Sequence, residues 1–340
     1  DDTSQKNHLK AYGITYYSLL QGNKVQWLLN YRGGSFLLED HENFRRECTV
    51  RGVSFEVISE VEAVKILELI ASPSQNMEAV ILEKAPKIAV YSPKENQPWD
   101  DAVTMVLQFA EIPYDVVYDE EVLQDKLLLY EWLHLHHEDF TGQFGKFYGA
   151  FRSAPWYIES KVNAEKRAAD LGYQKVSEQK LDVALKIRDY VVGGGFMFAM
   201  CSATDSFDIA LSAEGLDICE VMFDGDPSER GYQEQLDYEK TFAFKDFTLE
   251  RNPVIYEFSN IDTTRKRKVL KTEDYFELKA YSAKWDMVPS MLCQNHTLMI
   301  KGFMGQTTAF EPNLIKPAVM IMGQNNVNGE ARYIHGVKGK

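Results

Sequence analysis

The chain has 340 residues, with 45% hydrophobic and 26% charged side chains and a formal net charge of -14 at pH 7. These values predict a globular protein with a sizeable buried core, organised as two ordinary domains or one large one. They argue against nucleic-acid binding, since the main basic stretch is the short "TTRKRKVLK" at 263–271, and no apolar run reaches the length of about 18 residues that spans a bilayer.

The first 84 residues are predicted to form an α/β segment. Its elements, in chain order, are a helix over 7–22, a buried strand over 24–31, a strand over 53–58 and a helix over 60–71. Because a helix comes before any strand, we expect an opening strand upstream of Asp1. The absence of an initiator methionine predicts that a signal peptide, tag or leader has been removed. The protein is therefore predicted to be either cytoplasmic or exported, with a slight preference for export.

Residues 85–220 are predicted to form a mostly parallel sheet. Strand patterns over 87–92, 114–119, 129–140 and 196–200 alternate with helical patterns over 100–111 and 177–192. This alternation is typical of βαβ units, whose ligands bind beyond the carboxyl ends of the strands. The polar residues that this rule brings to one edge of the sheet are Ser92, His136, His137 and Cys201.

Residues 221–340 are predicted to form a β-rich extension. Strand-like stretches dominate it and helical signals are few: "KTFAFKDFTL", "VIYEFSNI", "YFELKAYSAKW" and "PAVMIMG". The end of the chain, "RYIHGVKGK", follows soon after an apolar strand. We therefore expect the extension to be truncated at that end.

Cys201 ends an apolar strand and opens a helical pattern, which makes it a candidate nucleophile. A thiolate is a strong nucleophile, and the amino end of a helix lowers a thiol's pKa and offers N–H groups to an oxyanion. Ser202, at the same helix start, is a candidate ligand-binding residue. The alternative for Cys201 is a buried structural thiol. No CxxC spacing joins it to Cys48, Cys219 or Cys293, so all four cysteines are predicted to be free thiols.

The run "HLHHED" holds three of the chain's seven histidines at a strand end. Alternation places His134 and His136 on one face of the strand and His137 on the other. Either His136 or His137 could act as a base toward the thiol. Two histidines with Asp139 could instead hold a divalent metal, and Glu138 and Asp139 are candidate ligand-binding residues. A hydrogen-bonded polar rim remains the alternative.

Other polar positions carry weaker signals. Arg32, in the turn "YRGG", is a candidate ligand-binding residue for an anion, although a tight turn also explains its glycines. The stretch "SATDS" at 202–206 lacks the two glycines of a pyrophosphate loop, so helix capping explains it better. "FDGDP" at 223–227 reads either as a metal site or as a turn. His296 is predicted to be structural.

The stretch "GGGFMFAMCSA", with the helix 177–192 before it, resembles class I glutamine amidotransferase-like proteins. Longer stretches resemble a group of bacterial proteins commonly labelled asparagine synthetase B: "NHLKAYGITYYSLLQGNKVQWLLNYRGGSFLL", "PWDDAVTMVLQFAEIPYDVVYDEEVL", "WLHLHHEDFTGQFGKFY" and "QNHTLMIKGFMGQTTAF". The resemblance implies a flavodoxin-like doubly wound sheet with a cysteine elbow, and it assigns the nucleophile's role to Cys201.

The chain departs from the family pattern around that cysteine. The family's oxyanion glycines are replaced by "HHEDF", and its His-x-Glu has no match at His296 or His335. The resemblance implies that relatives continue beyond Lys340 with a Gly-Gly-His-Asp-Pro-Glu pattern. We therefore expect a triad histidine, if there is one, to lie downstream.

Three functions follow from these observations. The first is an amidotransferase-like hydrolase with Cys201 as nucleophile, His137 or His136 as base and helix-start amides as the oxyanion hole. The second is a non-catalytic module on the same fold that binds a small molecule or a partner protein. The third is a metal-dependent hydrolase built on the histidine run. No cofactor is predicted, a divalent metal stays an alternative, and the sequence does not define the oligomeric state.

Overall fold

The computed structural model describes residues 5–93, 102–264, 273–280, 282–284, 297–302 and 305–338. The chain divides into two compact units: residues 1–87, 98–114 and 278–300 form the first, and residues 88–97, 115–277 and 301–340 form the second. The expected division at residues 84 and 220 stays a prediction. In the described part of the chain, no helix combines the length and the apolarity that crossing a membrane requires.

The described residues of the first unit contain an antiparallel sheet and four α-helices. The helices are α1 His8–Leu20, α2 Glu42–Arg51, α3 Glu60–Ala71 and α4 Ala102–Ala110, and the strands are β1 Val25–Leu29, β2 Ser35–Leu37 and β3 Glu78–Leu82. β1 lies between β2 and β3. Because Ser59 and Glu62 form a capping box, α3 begins where the sequence predicts. α1 and α4 approach closely at Gly13, where a Cβ would lie 1.8 Å from the carbonyl oxygen of Ala110.

The strand predicted over residues 53–58 is wrong. None of these residues pairs in a sheet. Val53 is buried with residues of α1 and α2, whereas the side chains of Phe55 and Val57 are exposed. The alternating apolar residues of 53–58 therefore do not pack as one face of a sheet against other elements. β3, which the sequence analysis did not assign, takes the place beside β1.

The second unit contains the predicted parallel sheet, so the fold is of the α/β class. Its strands are β4 Ile88–Tyr91, β5 Asp115–Val117, β6 Trp132–Leu135 and β7 Phe196–Ala199, in the order β5-β4-β6-β7. Its helices are α5 Asp119–Leu123, α6 Tyr148–Phe151, α7 Pro155–Asp170, α8 Val176–Val192, α9 Ser202–Ser212 and α10 Val221–Asp224. All three strand pairings are parallel, as the alternation of strands and helices predicts.

The core of this sheet explains why α8 and α9 form where they do. β6 contributes the fully buried Leu133 and Leu135. α8 buries Val183 and Ile187 in the same cluster, and α9 contributes Phe207. Residues at such spacings lie on one face of a helix, and each fully buried aliphatic side chain contributes about 1.5–3 kcal/mol.

The part beyond residue 220 is less regular than predicted. β10 Met320–Gln324 and β11 Ala331–His335 form an antiparallel pair, and β8 Tyr275–Leu278 lies beside β10. The remaining strand, β9, spans Met299–Lys301. The stretches 240–249 and 254–261, predicted as strands, make only isolated bridges. A reason is that the Asp208 carboxylate accepts the N–H groups of residues 242–244, at 2.7–2.9 Å, in place of a neighbouring strand.

Candidate functional site

Cys201 lies at a sharp turn between β7 and α9. The Met200 N–H donates to the Leu135 carbonyl oxygen at 2.8 Å, and Ser202 begins the helix. Between them Cys201 has φ 49° and ψ -140°, a backbone conformation that residues with side chains rarely adopt. Strained turns of this kind present a nucleophile at the end of a sheet. The thiol-bearing residue is half-buried and forms no disulfide within the described part of the chain.

The segment 305–308 lines one side of the Cys201 sulfur. A Cβ at Gly305 would lie 3.9 Å from Sγ and 3.2 Å from the Thr308 methyl group. The Gly305 carbonyl oxygen accepts the hydroxyl groups of Thr264 and Thr308, at 3.0 and 3.2 Å. Tyr256 is also close: burial raises the pKa of its hydroxyl, and the Cys201 thiol adds to that rise. The segment 305–308, here called the wall of the thiol site, could not be predicted from the sequence because its residues and Cys201 are far apart along the chain.

Two buried carboxyl groups, those of Asp205 and Asp262, hold the segment 305–308 beside α9. Asp205, one helical turn after Cys201, is fully buried and accepts the Thr307 hydroxyl at 2.9 Å. The Asp262 carboxylate accepts the Thr307 N–H at 2.7 Å. Burial, and then the charge of Asp262, hold the pKa of Asp205 well above its usual range. Thr307 itself has φ 51°, which is unusual for a β-branched residue. The contacts of both carboxyl groups therefore hold a strained turn beside the thiol.

His136 and His137 follow the end of β6, the strand next to β7. Their Nδ1 atoms are 2.8 Å apart, so one of these atoms carries a proton and the other accepts it. His136 is half-buried and His137 is exposed. The ring of His134 is fully buried in β6 and stacks on that of His136, as the alternation predicts. Leu135 pairs with Ala199, so both histidines and Cys201 lie just beyond adjacent strand ends, although a shared pocket stays a prediction.

The two acids of the histidine run have different surroundings. Asp139 accepts the N–H of Thr141 at 2.7 Å, its hydroxyl at 2.6 Å and the N–H of Gly145 at 2.9 Å. These bonds stabilise the loop that follows β6. Glu138 is half-buried, and burial raises the pKa of its carboxyl to about 7 against the opposing effect of the Lys180 ammonium. Its backbone oxygen accepts the Ser206 hydroxyl at 3.0 Å, which anchors the loop to α9.

A buried ionic cluster lies where β4 and β5 end, and the sequence analysis did not identify it. The Lys180 ammonium, on α8, donates to Asp119 at 2.9 Å, to the Tyr91 hydroxyl at 2.9 Å and to the Tyr118 hydroxyl at 3.2 Å. Tyr91 also donates to Asp119. Burial alone lowers the pKa of Lys180, but Asp119 and the hydroxyls raise it above its usual value. Tyr91 ends β4 and the pair Tyr118–Asp119 directly follows β5, so the strand patterns in the sequence could have pointed to these three residues, although not to Lys180.

The remaining predicted ligand-binding residues lie in separate places. Ser92 follows β4, and its N–H donates to the Val117 carbonyl oxygen at 3.1 Å. Ser202 is almost fully buried in the first turn of α9. Arg32 belongs to the first unit, where it is exposed and 3.0 Å from Glu56. The positions that lie outside the described residues are Cys293, His296 and 265–271 of the basic stretch.

Within the described part of the chain, one group of side chains has the spacing of a metal site: Asp217, Cys219 and Asp224. The Lys175 ammonium lies 2.5 Å from Asp217 and 3.2 Å from Asp224, and it also binds Asp226 at 2.7 Å. An ammonium group therefore balances these carboxylates. The two acids of "FDGDP" belong to this ion-pair cluster.

Comparison of the chain with family models, with curated proteins and with solved structures gives no match in any of the three. What the molecule itself presents is an α/β sheet whose carboxyl end carries a cysteine in a strained turn. The function is therefore inferred from the chemistry of that end of the sheet.

Proposed function

We propose that the protein is an amidotransferase-like hydrolase in which Cys201 attacks the carbonyl carbon of an amide. The observation that carries the proposal is the backbone of Cys201, with φ 49° and ψ -140°, between β7 and α9. Such a conformation costs of the order of 1–3 kcal/mol, and it persists where the surrounding structure over-determines it. A buried structural thiol has no need of this turn, whereas a nucleophile does.

The strand order supports a flavodoxin-like arrangement. In chain order, β4, β5, β6 and β7 are the first to fourth strands of this sheet. The order β5-β4-β6-β7 is therefore 2-1-3-4 in those numbers. This matches the first four strands of the doubly wound order 2-1-3-4-5. Ligands of such sheets bind beyond the carboxyl ends, near the point where the order reverses. Here that point lies between β4 and β6, next to the end of β7 that carries Cys201.

The reaction would use the groups at this edge as follows. The Cys201 thiol loses its proton to His137 or His136, and the thiolate forms a bond to the carbonyl carbon while the carbonyl π electrons move to oxygen. N–H groups of the first turn of α9 stabilise the resulting oxyanion. As the oxyanion collapses, the C–N bond breaks and the imidazolium proton goes to the leaving amine. Water then attacks the thioester, which releases the acid and restores the thiol.

A metal-dependent hydrolase has less support. Both carboxylate oxygens of Asp139 accept hydrogen bonds from its own loop. Among the described residues, the histidine run does not come together as a group of three metal ligands.

The test compares the reactivity of the cysteines. Iodoacetamide near neutral pH, followed by peptide mass spectrometry, should alkylate Cys201 much faster than Cys48 and Cys219, which are buried. H136Q and H137Q should slow the reaction of Cys201 if an imidazole is its base. Alkylation of Cys201 no faster than that of a denatured-state cysteine control would remove the basis for a nucleophile.

A further inference from the structure

Four aromatic side chains form a partly exposed surface in the second unit, here called the aromatic patch: Phe147, Phe151, Trp156 and Tyr256. The Phe147 ring lies at its centre, with centroid distances of 6.0 Å to Phe151, 5.7 Å to Trp156 and 5.8 Å to Tyr256. Trp156 is 48% exposed, Phe151 41% and Tyr256 37%. A contiguous group of large rings open to solvent is typical of a binding surface.

The patch is continuous with the surroundings of Cys201. Gln306, which is almost fully buried, donates its side-chain amide to the Tyr256 carbonyl oxygen and, at 3.3 Å, to that of Gly145. The residue before it, Gly305, lies beside the Cys201 sulfur. One buried amide therefore connects the wall of the thiol site to two segments that carry patch residues.

The segment that presents Phe147 is held in a strained conformation. Phe144, Gly145 and Lys146 all have positive φ, at 51°, 67° and 57°. Asp139 accepts the Gly145 N–H at 2.9 Å, and the buried Lys146 ammonium donates to the Glu250 carbonyl oxygen at 2.7 Å. Backbone strain of this kind is kept where it positions functional groups.

A close backbone contact completes the patch. A Cβ at Gly149, in α6, would lie 2.5 Å from the Val254 carbonyl oxygen. This approach keeps α6 against the segment that leads to Tyr256. The side chain of Val254 is itself 61% exposed.

We propose that the aromatic patch binds an aromatic or apolar ring of the substrate whose carbonyl carbon Cys201 attacks. The proposal rests on the proposed function and names its substrate class. Ring faces and edges bind other planar rings through offset and edge-to-face contacts, and they gain little from a short polar side chain such as that of glutamine. The substrate is therefore an amide that carries a ring near its carbonyl group.

The test uses two thiol reagents that differ by one phenyl group, iodoacetamide and N-phenyliodoacetamide. Their second-order rate constants are measured at Cys201 by mass spectrometry, and glutathione gives the intrinsic ratio. We expect the phenyl reagent to be favoured at Cys201 by about five- to tenfold over that ratio. F151A and W156A should return the ratio to that of glutathione.

The matched control is F196A, since Phe196 is 42% exposed and lies at the opposite end of the strand that leads to Cys201. It should leave the ratio at the wild-type value. A wild-type ratio equal to that of glutathione, or one unaffected by both F151A and W156A in variants with wild-type circular dichroism, would overturn the proposal.

A second measurement separates this proposal from the proposed function. In C201S, saturation-transfer NMR should detect binding of acetanilide but not of acetamide, and W156A should remove the signal. If Cys201 proves unreactive yet acetanilide binds in this way, the proposed function fails and the ring site stands. If Cys201 is reactive and acetanilide does not bind, the ring site fails alone.

Discussion

The hydroxyl of Thr307 donates to the carboxyl group of Asp205, 2.9 Å away, one helical turn beyond Cys201. Asp205 is fully buried, and its other oxygen makes no hydrogen bond to any described residue. This contact joins the helix that starts at the cysteine to the strained turn that flanks it. It also makes the stability of the site depend on the protonation of one acid.

Asp205→Asn is expected to remove a pH dependence of stability. Because the pKa of Asp205 is raised in the folded state, the folded protein binds more protons than the unfolded one above the ordinary value of about 3.9, and stability falls as pH rises. Asparagine does not titrate, so D205N should gain stability relative to wild type as pH rises above about 4. Urea unfolding at several pH values measures the difference.

The companion variant D205A leaves the Thr307 hydroxyl without its acceptor. Relative to D205N, which keeps an acceptor and does not titrate, we expect D205A to lose about 1–3 kcal/mol across the same pH range. Parallel pH curves for wild type and D205N would contradict the assignment of a raised pKa.

Glu138→Gln is expected to flatten a second pH dependence. Burial raises the pKa of Glu138 to about 7, so its contribution to stability decreases as pH rises from the unfolded value, about 4.3, through that number. After allowance for solvent screening, the effect is of the order of 1–2 kcal/mol. E131Q, at the exposed residue directly before β6, is the control, and it should change the curve less. Equal effects of the two variants on the slope between pH 5 and 7 would show that Glu138 is not the group responsible.

Lys180→Met is expected to destabilise the protein by about 3–5 kcal/mol, because it leaves the buried Asp119 carboxylate without its cation. The matched control lies on the same helix: Lys186 pairs with Asp125 at the surface, and K186M should cost about 0–1 kcal/mol. The double variant K180M/D119L should be more stable than K180M alone. Chemical denaturation measures all three, and similar losses for K180M and K186M would refute a buried ion pair.

The chain is expected to form no asparagine from aspartate, glutamine and ATP. The stretch 202–206 lacks the glycines of a pyrophosphate loop, and in the structure it forms the first turns of α9. There Asp205 accepts Thr307 and the Ser206 hydroxyl donates to Glu138, so neither side chain is open to a phosphate. Asparagine formation with release of pyrophosphate, above a C201A control, would disprove this.

The parallel sheet could be predicted because local and global signals agree. Helix α3 runs over 60–71 as predicted, since its capping box and apolar spacing lie within a few residues. Short-range alternation predicts the parallel pairing, whereas the order of the strands comes from the structure, which brings the end of β6 beside that of β7. The position of Cys201 at a strand-to-helix turn follows from the same pattern.

Other features depend on contacts that no short window of sequence contains. The residues 242–244 have strand-like composition, but their N–H groups bond to Asp208, more than 30 residues earlier. Lys180 looks like an ordinary solvent-facing residue of an amphipathic helix, and its burial depends on the ends of two distant strands. The wall at Gly305 could not be predicted for the same reason.

The contacts of helix α9 limit where the chain can be shortened without loss of structure. Two of its carboxyl groups, Asp205 and Asp208, are fully or almost fully buried, and their partners at Thr307 and residues 242–244 all come from the chain beyond 220. A fragment ending at residue 220 would keep both acids and lose the hydrogen bonds that these partners donate to them. Thr307 and residues 242–244 thus belong to the same compact unit as the parallel sheet, and we expect a chain shortened to residue 220 to lose the contact that holds Thr307 to the helix after Cys201.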